Sequence, residues 1–309
     1  MEYIQKTFVL NVSRSLPWTH EDYRLLQPIW DQFKLSPGFT IVFSILFYFI
    51  AVLPWTIIDL YGKDWKWIQK YKIQPDKQVT WPLMKKAIVL TIWNHILYVL
   101  PLTVAFWVFT PPVEQPRLAP PVLEMVWHCI GAIAIFDLEF YIWHYIHHKV
   151  RFLYKHVHAL HHQYRSPNAW VTQYFHPMEL ITLGFFSTTS PWVFNSHPLT
   201  CYTFQFFSLL AALDNHIGYD LPFMPHHWFP FWGGSVKHDM HHQKPLTNYA
   251  PFFNYLDKIF GTYCPHQMAG GYRPKSLLDW EKKDKESKKQ LREQRERLMA
   301  APEEHPFLN

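Results

Sequence analysis

Twenty of the 309 residues are histidine, and their spacing points to chemistry. Three clusters stand out: His144-Tyr-Ile-His147-His148, His158-Ala-Leu-His161-His162 and His238-Asp-Met-His241-His242. The stretch 136–162 alone holds seven histidines in an otherwise apolar, aromatic run. On a helix, positions i, i+3 and i+4 share a face. His144 and His148 therefore project together, and each HxxHH presents its three imidazoles on one side. Three such faces can converge around two metal ions. Neutral imidazole suits iron, zinc and copper, and disfavours magnesium and calcium.

The competing reading is a set of hydrogen-bonded core histidines, or an adventitious metal patch. A single HxxxH would fit it; two HxxHH boxes plus an HxxxH do not. A zinc hydrolase needs about three protein ligands and an open position, and a structural metal needs four. Eight box histidines exceed both, and no HExxH is present. A dimetal centre that activates O2 uses this many ligands, and an apolar setting makes a lipid the expected substrate, hydroxylated or desaturated. Carboxylates commonly accept the second ring N–H of a ligating histidine. Asp137 lies seven residues before His144 on the same helical face, Asp239 lies inside the third box, and Asp214 just precedes His216. Supporting or surface roles are expected for His147 and His156, and interfacial, capping or surface roles for His20, His128, His226, His227 and His305.

The elements that must position these boxes are helical. Aromatics make up 18% of the chain and charged residues 17%, which points away from an average soluble domain. Cys129, Cys201 and Cys264 share no motif, so neither a zinc–thiolate site nor a disulfide framework is expected. The net charge of +5 is mild, and no nucleic-acid signature appears. Residues 1–37 lack an apolar core behind a basic start, so no cleaved signal peptide is expected. The run 38–60 is uncharged until Asp59 and long enough to cross about 30 Å of hydrocarbon, with Pro54 expected to kink it. Residues 61–86 carry seven lysines against Asp64 and Asp76. A second apolar run covers 87–109, and a third starts near Val122 and merges into the first box. Two shorter runs across 178–213, broken by Pro191 and Pro198, read as a hairpin or two tilted spans. The stretch 281–298 reads as a solvated charged helix.

The expected fold is all-α: a multi-pass membrane protein with a histidine-rich cytosolic dimetal catalytic cap. Its expected divisions are a luminal segment 1–37, two spans with a Lys-rich cytosolic loop 38–121, a catalytic domain 122–272 and a charged cytosolic tail 273–309. The lysines set this orientation by the positive-inside rule. Asn11-Val-Ser13 is then a candidate luminal glycosylation sequon.

The three boxes resemble those of the membrane fatty-acid-hydroxylase and sterol-desaturase superfamily. "NHIGYD" before the third box and "NYAPFFNYLDKIFGT" after it resemble its sterol-modifying branch. "LLQPIWD", "YKIQPD", "FDLEFYIWHYIHHKV" and "SHPLT" are similar to the cholesterol 25-hydroxylase group within that branch. The resemblance runs over about 25–262. It implies an endoplasmic-reticulum enzyme that binds two irons, uses O2 and takes electrons from an NAD(P)H-linked donor such as cytochrome b5. Zinc could substitute for the iron. It carries over as ligands His144, His148, His158, His161, His162, His238, His241 and His242, with His216 and His197 as further matches. The implied reaction is hydroxylation of a bilayer sterol, cholesterol at C-25. Lys237 departs from the pattern, since relatives place an extra histidine there, and His176 matches the methylsterol-oxidase side. A C-4 methylsterol oxidase or desaturase with the same centre therefore stays open, as does a non-catalytic sterol-binding protein with a structural metal.

Overall fold

The computed structural model describes residues 25–34, 39–109 and 116–300. Asn11 and most of the expected luminal segment lie outside them. Helix α1 covers Gln27–Lys34, α2 Phe39–Tyr61, α3 Lys66–Gln69 and α4 Trp81–Asn94. A π-helical turn, His95–Val99, joins α4 to α5, Leu100–Phe109. Pro101 lies two residues past that turn and has no N–H to give the preceding carbonyls, a local cause for the wider winding. Next come α6, Val122–Lys149, and α7, Arg151–His156. Two 3-10 segments follow, His158–Gln163 and Ala169–Gln173. Then come α8, Pro177–Trp192, α9, Pro198–His216, α10, Pro225–Trp228, α11, Gly234–Gln243, and α12, Tyr255–Ile259. A turn at Ala269–Gly271 leads into α13, Lys275–Ala300. Among the described residues, β pairing is confined to two isolated bridges, Lys72 with Tyr219 and Trp232 with Phe253.

Two helices, Trp81–Ala105 and Val122–Lys149, are long and apolar enough to cross a membrane, and only 22% of each apolar window is buried. At 1.5 Å per residue, α6 is about 42 Å long. One face of α6 buries Ala132, Phe136, Tyr141 and the first box, while Trp127, Ile130 and Ile142 face outward. A helix apolar on all sides needs an apolar environment on the sides it does not bury.

α6 packs against α8 and α9, and α9 packs in turn against α11 and α2. α9 therefore joins the apolar helices to the box-bearing segments. Proline at the first turn starts several helices, where its missing N–H costs nothing. His176 and His197 cap α8 and α9, their Nδ1 atoms accepting from the N–H of Met178 and Leu199.

The start of the second apolar helix differs from the sequence reading. α4 begins at Trp81, behind Thr80 and with Pro82 in its first turn, so Lys85 and Lys86 ride on the helix. α2 continues through Pro54. The run 178–213 forms two helices, with Pro191 in the last turn of one and Pro198 at the start of the next. The Lys-rich stretch is partly built into the core. Lys72 is 3% exposed and pairs with Asp59 at 3.4 Å, and the Tyr219 hydroxyl donates to the same carboxylate at 3.0 Å.

Candidate metal centre

The second box does not form an α-helix; His158–Gln163 winds as a 3-10 segment. The boxes also do not each point at one place. Five imidazoles form one cluster: His144, His148, His158, His162 and His241. Four form the other: His161, His216, His238 and His242. Within each, one nitrogen per ring lies within 4.8 Å of all the others. The division has a simple cause in the third box. Successive residues on an α-helix are separated by about 100°. His241 and His242 therefore leave α11 in different directions, His241 to the first cluster and His242 with His238 to the second. The clusters adjoin, with the rings of His162 and His242 4.9 Å apart.

Four of the outer ring nitrogens meet acceptors. His144 Nδ1–H donates to the Tyr249 carbonyl at 2.7 Å, His241 to Thr247 at 2.6 Å and His216 to Ala212 at 2.8 Å. His158 Nδ1 lies 2.9 Å from Glu179 Oε1. Carbonyl oxygens only accept, so the first three rings carry their proton on Nδ1 and turn a bare Nε2 lone pair inward. There the Nε2 atoms face one another: His144 and His158 at 2.9 Å, His162 and His241 at 3.1 Å, His216 and His238 at 3.0 Å. In each pair at least one nitrogen presents a bare lone pair, which a proton on the facing ring or a cation among them would satisfy. No clustered histidine is more than 8% exposed. Burial, reinforced by the neighbouring imidazoles, pushes His158, His161, His238 and His242 well below the ordinary histidine range and keeps them neutral. An all-nitrogen, uncharged donor set of five plus four fits two ions of the iron–zinc class and fits neither magnesium nor calcium.

The carboxylates act differently from their expected roles. Asp137 touches no clustered histidine; its Oδ1 accepts the N–H groups of Phe252 at 2.8 Å and Phe253 at 3.1 Å. Its partner comes from the loop after the third box. Asp239 accepts from Gln74 at 2.9 Å and Gln243 at 2.7 Å, and burial pushes its carboxyl up to about 7. His197 is likewise not brought to either cluster. Its Nδ1 caps α9 and its Nε2 donates to the Leu118 carbonyl at 3.1 Å, which leaves no nitrogen for an ion. Glu179, the carboxylate that does reach a clustered histidine, was missed. It lies in the first turn of α8, 21 residues from His158, and no local spacing announces it.

Beside the centre lies an apolar cavity of about 510 Å³ lined by Trp55, Ile133, Ala211, Asp214, Met224 and Trp232 among others. It shares the last turns of α9 with the second cluster. The Asp214 carboxylate is buried in this lining and faces the Trp232 indole N–H.

The helical scaffold gathers nine buried imidazoles into two adjoining sets that fit metal binding, and the family model for fatty acid hydroxylase matches residues 129–262, which contain all nine. The chain belongs to the fatty acid hydroxylase family and is an oxidoreductase, a hydroxylase. It is 43% identical to the zebrafish (Danio rerio) cholesterol 25-hydroxylase-like protein 1, member 2, over 79% of this chain and 92% of that one. It is 40% identical to a Caenorhabditis elegans cholesterol 25-hydroxylase-like protein, over 79% of this chain and 83% of that one. The human cholesterol 25-hydroxylase is 36% identical, over 77% of this chain and 90% of that one. No solved structure matches.

Proposed function

We propose that the protein is a membrane sterol monooxygenase that hydroxylates the cholesterol side chain at C-25, using two irons held by the nine clustered histidines. The observation that carries this reading is the pair of adjoining, uncharged imidazole clusters beside an apolar cavity. Bound iron would activate O2 for insertion of one oxygen atom into a C–H bond, with electrons from an NAD(P)H-linked donor such as cytochrome b5. The chain's own part is positioning. The carbonyls of Tyr249, Thr247 and Ala212, and the Glu179 carboxylate, fix the ring orientations. Closely packed aromatic rings exclude water, with Phe140 5.1 Å from His144 and Phe175 4.9 Å from His161.

The exposed apolar sides of α4 and α6 support a bilayer setting, which we assign to the endoplasmic reticulum, with the clusters on the cytosolic side. A sterol entering tail-first from the opposite leaflet keeps its hydroxyl near water, buries its rings among aromatic side chains and brings its tail towards the ions. The choice of C-25 rests on the names of the relatives. Microsomes containing the protein, given labelled cholesterol, should yield 25-hydroxycholesterol. A product oxidised in a ring or at a C-4 methyl group, with the side chain untouched, would replace this reading with a C-4 methylsterol oxidase.

A further inference from the structure

Asp220, His226 and His227 form a third group of potential ligands, their donor atoms all within 4.8 Å of one another. We propose that these three residues bind a zinc ion, separate from the two histidine clusters. The two ring Nε2 atoms lie 2.8 and 2.7 Å from the same carboxylate oxygen, Asp220 Oδ1. The other oxygen, Oδ2, is already engaged by the Ala269 N–H at 3.0 Å, so Oδ1 is the one turned to the rings. Adjacent residues on a helix normally diverge by about 100°. Here the neighbouring His226 and His227 converge, with ring centroids 4.3 Å apart. Two imidazole nitrogens and one carboxylate oxygen, with a water completing the tetrahedron, are a donor set zinc favours.

The surroundings are shaped to this group. The His226 side chain is 6% exposed and its Nδ1 is buried without a partner. Its ring occupies the space beside Gly234, whose φ is +61° and where an added Cβ would come within 2.4 Å of Nδ1. Glycine is required there on both counts. The His227 side chain, 30% exposed, leaves the group open to an ion from solvent. An ion here would join three parts of the chain. The segment after α9 is tied to the Lys-rich stretch by the Asp220 N–H, which donates to the Tyr71 carbonyl at 2.8 Å. The 269–271 turn is tied through Asp220 Oδ2, and the start of α11, which carries the third box, abuts the His226 ring.

The test is metal content per chain, read as a difference so that it does not depend on what the two clusters hold. Full-length protein purified in detergent, incubated with zinc and desalted, is compared with Asp220→Asn and His227→Ala. Asp220→Asn keeps an acceptor for the Ala269 N–H, which protects the fold. Each variant should carry one zinc fewer than the parent. Either variant retaining the parent's content overturns the site, and so does loss of all metal from both variants.

Discussion

An imidazole has two nitrogens, and a partner that can only accept on one side fixes the other as a metal donor. His144, His216 and His241 are set in this way by backbone carbonyls, which no side-chain substitution removes. His158 depends on Glu179, a side chain, and is the point of the arrangement that a single substitution can undo. Glu179→Gln should lower metal affinity or turnover about 10–100-fold, the usual cost of losing such a partner. Metal retention during chelator titration checks this, and an unchanged profile would rule it out. His161→Ala and His241→Ala, which each take a donor from a different cluster, should abolish product formation from labelled sterol while the protein still inserts in membranes. Full activity in both would end the dimetal reading. His197→Ala should leave metal content unchanged and cost about 1 kcal/mol as a lost helix cap.

At the scale of elements, the third box is held from behind by a charge. Lys237 is 1% exposed, pairs with Asp257 at 2.8 Å and donates to the carbonyls of Ala250 at 2.9 Å and Phe253 at 2.6 Å. Asp257 in turn accepts the N–H groups of Tyr249 and Ala250, next to the carbonyl that orients His144. Lys237 thus anchors α11 to the loop 249–257. Lys237→Met should destabilise the fold by about 3–5 kcal/mol, because it leaves the Asp257 carboxylate buried without its cation. A thermal midpoint equal to the parent's would refute that. Such partnerships explain what the sequence could and could not disclose. The boxes and the apolar helices were legible because their signals are local, a spacing of three and four or a run of twenty residues. The division of His241 from His242, the pairing of Glu179 with His158 and the capture of Asp137 by Phe252 were not. Each depends on which segments meet in space, and contacts 21 to 115 residues apart leave no periodicity to read.

At the scale of the whole molecule, the apolar sides of α4 and α6 and the charged stretch between α2 and α4 set the expected orientation in a bilayer. Within that stretch Lys72 is internal, whereas Lys77 is open, its side chain 61% exposed. Trypsin added outside sealed microsomes should cut at Lys77, and protection there would reverse the proposed topology. The same topology puts Asn11 in the lumen. A glycosidase-sensitive mass shift, lost in Asn11→Gln, is the matching expectation on the other side of the membrane.

The second and third boxes each send histidines to both clusters. His158 and His162 go one way and His161 the other; His241 goes one way and His238 and His242 the other. Filling one cluster would therefore fix backbone that the other also uses, and part of the ordering cost of a second ion would be met by the first. Uptake of the two ions into metal-free protein should follow a sigmoidal curve, and chelation should remove them together. A chain with a single ion should be scarce at every stage of loading, so partial metal supply would yield a mixture of fully charged and empty molecules.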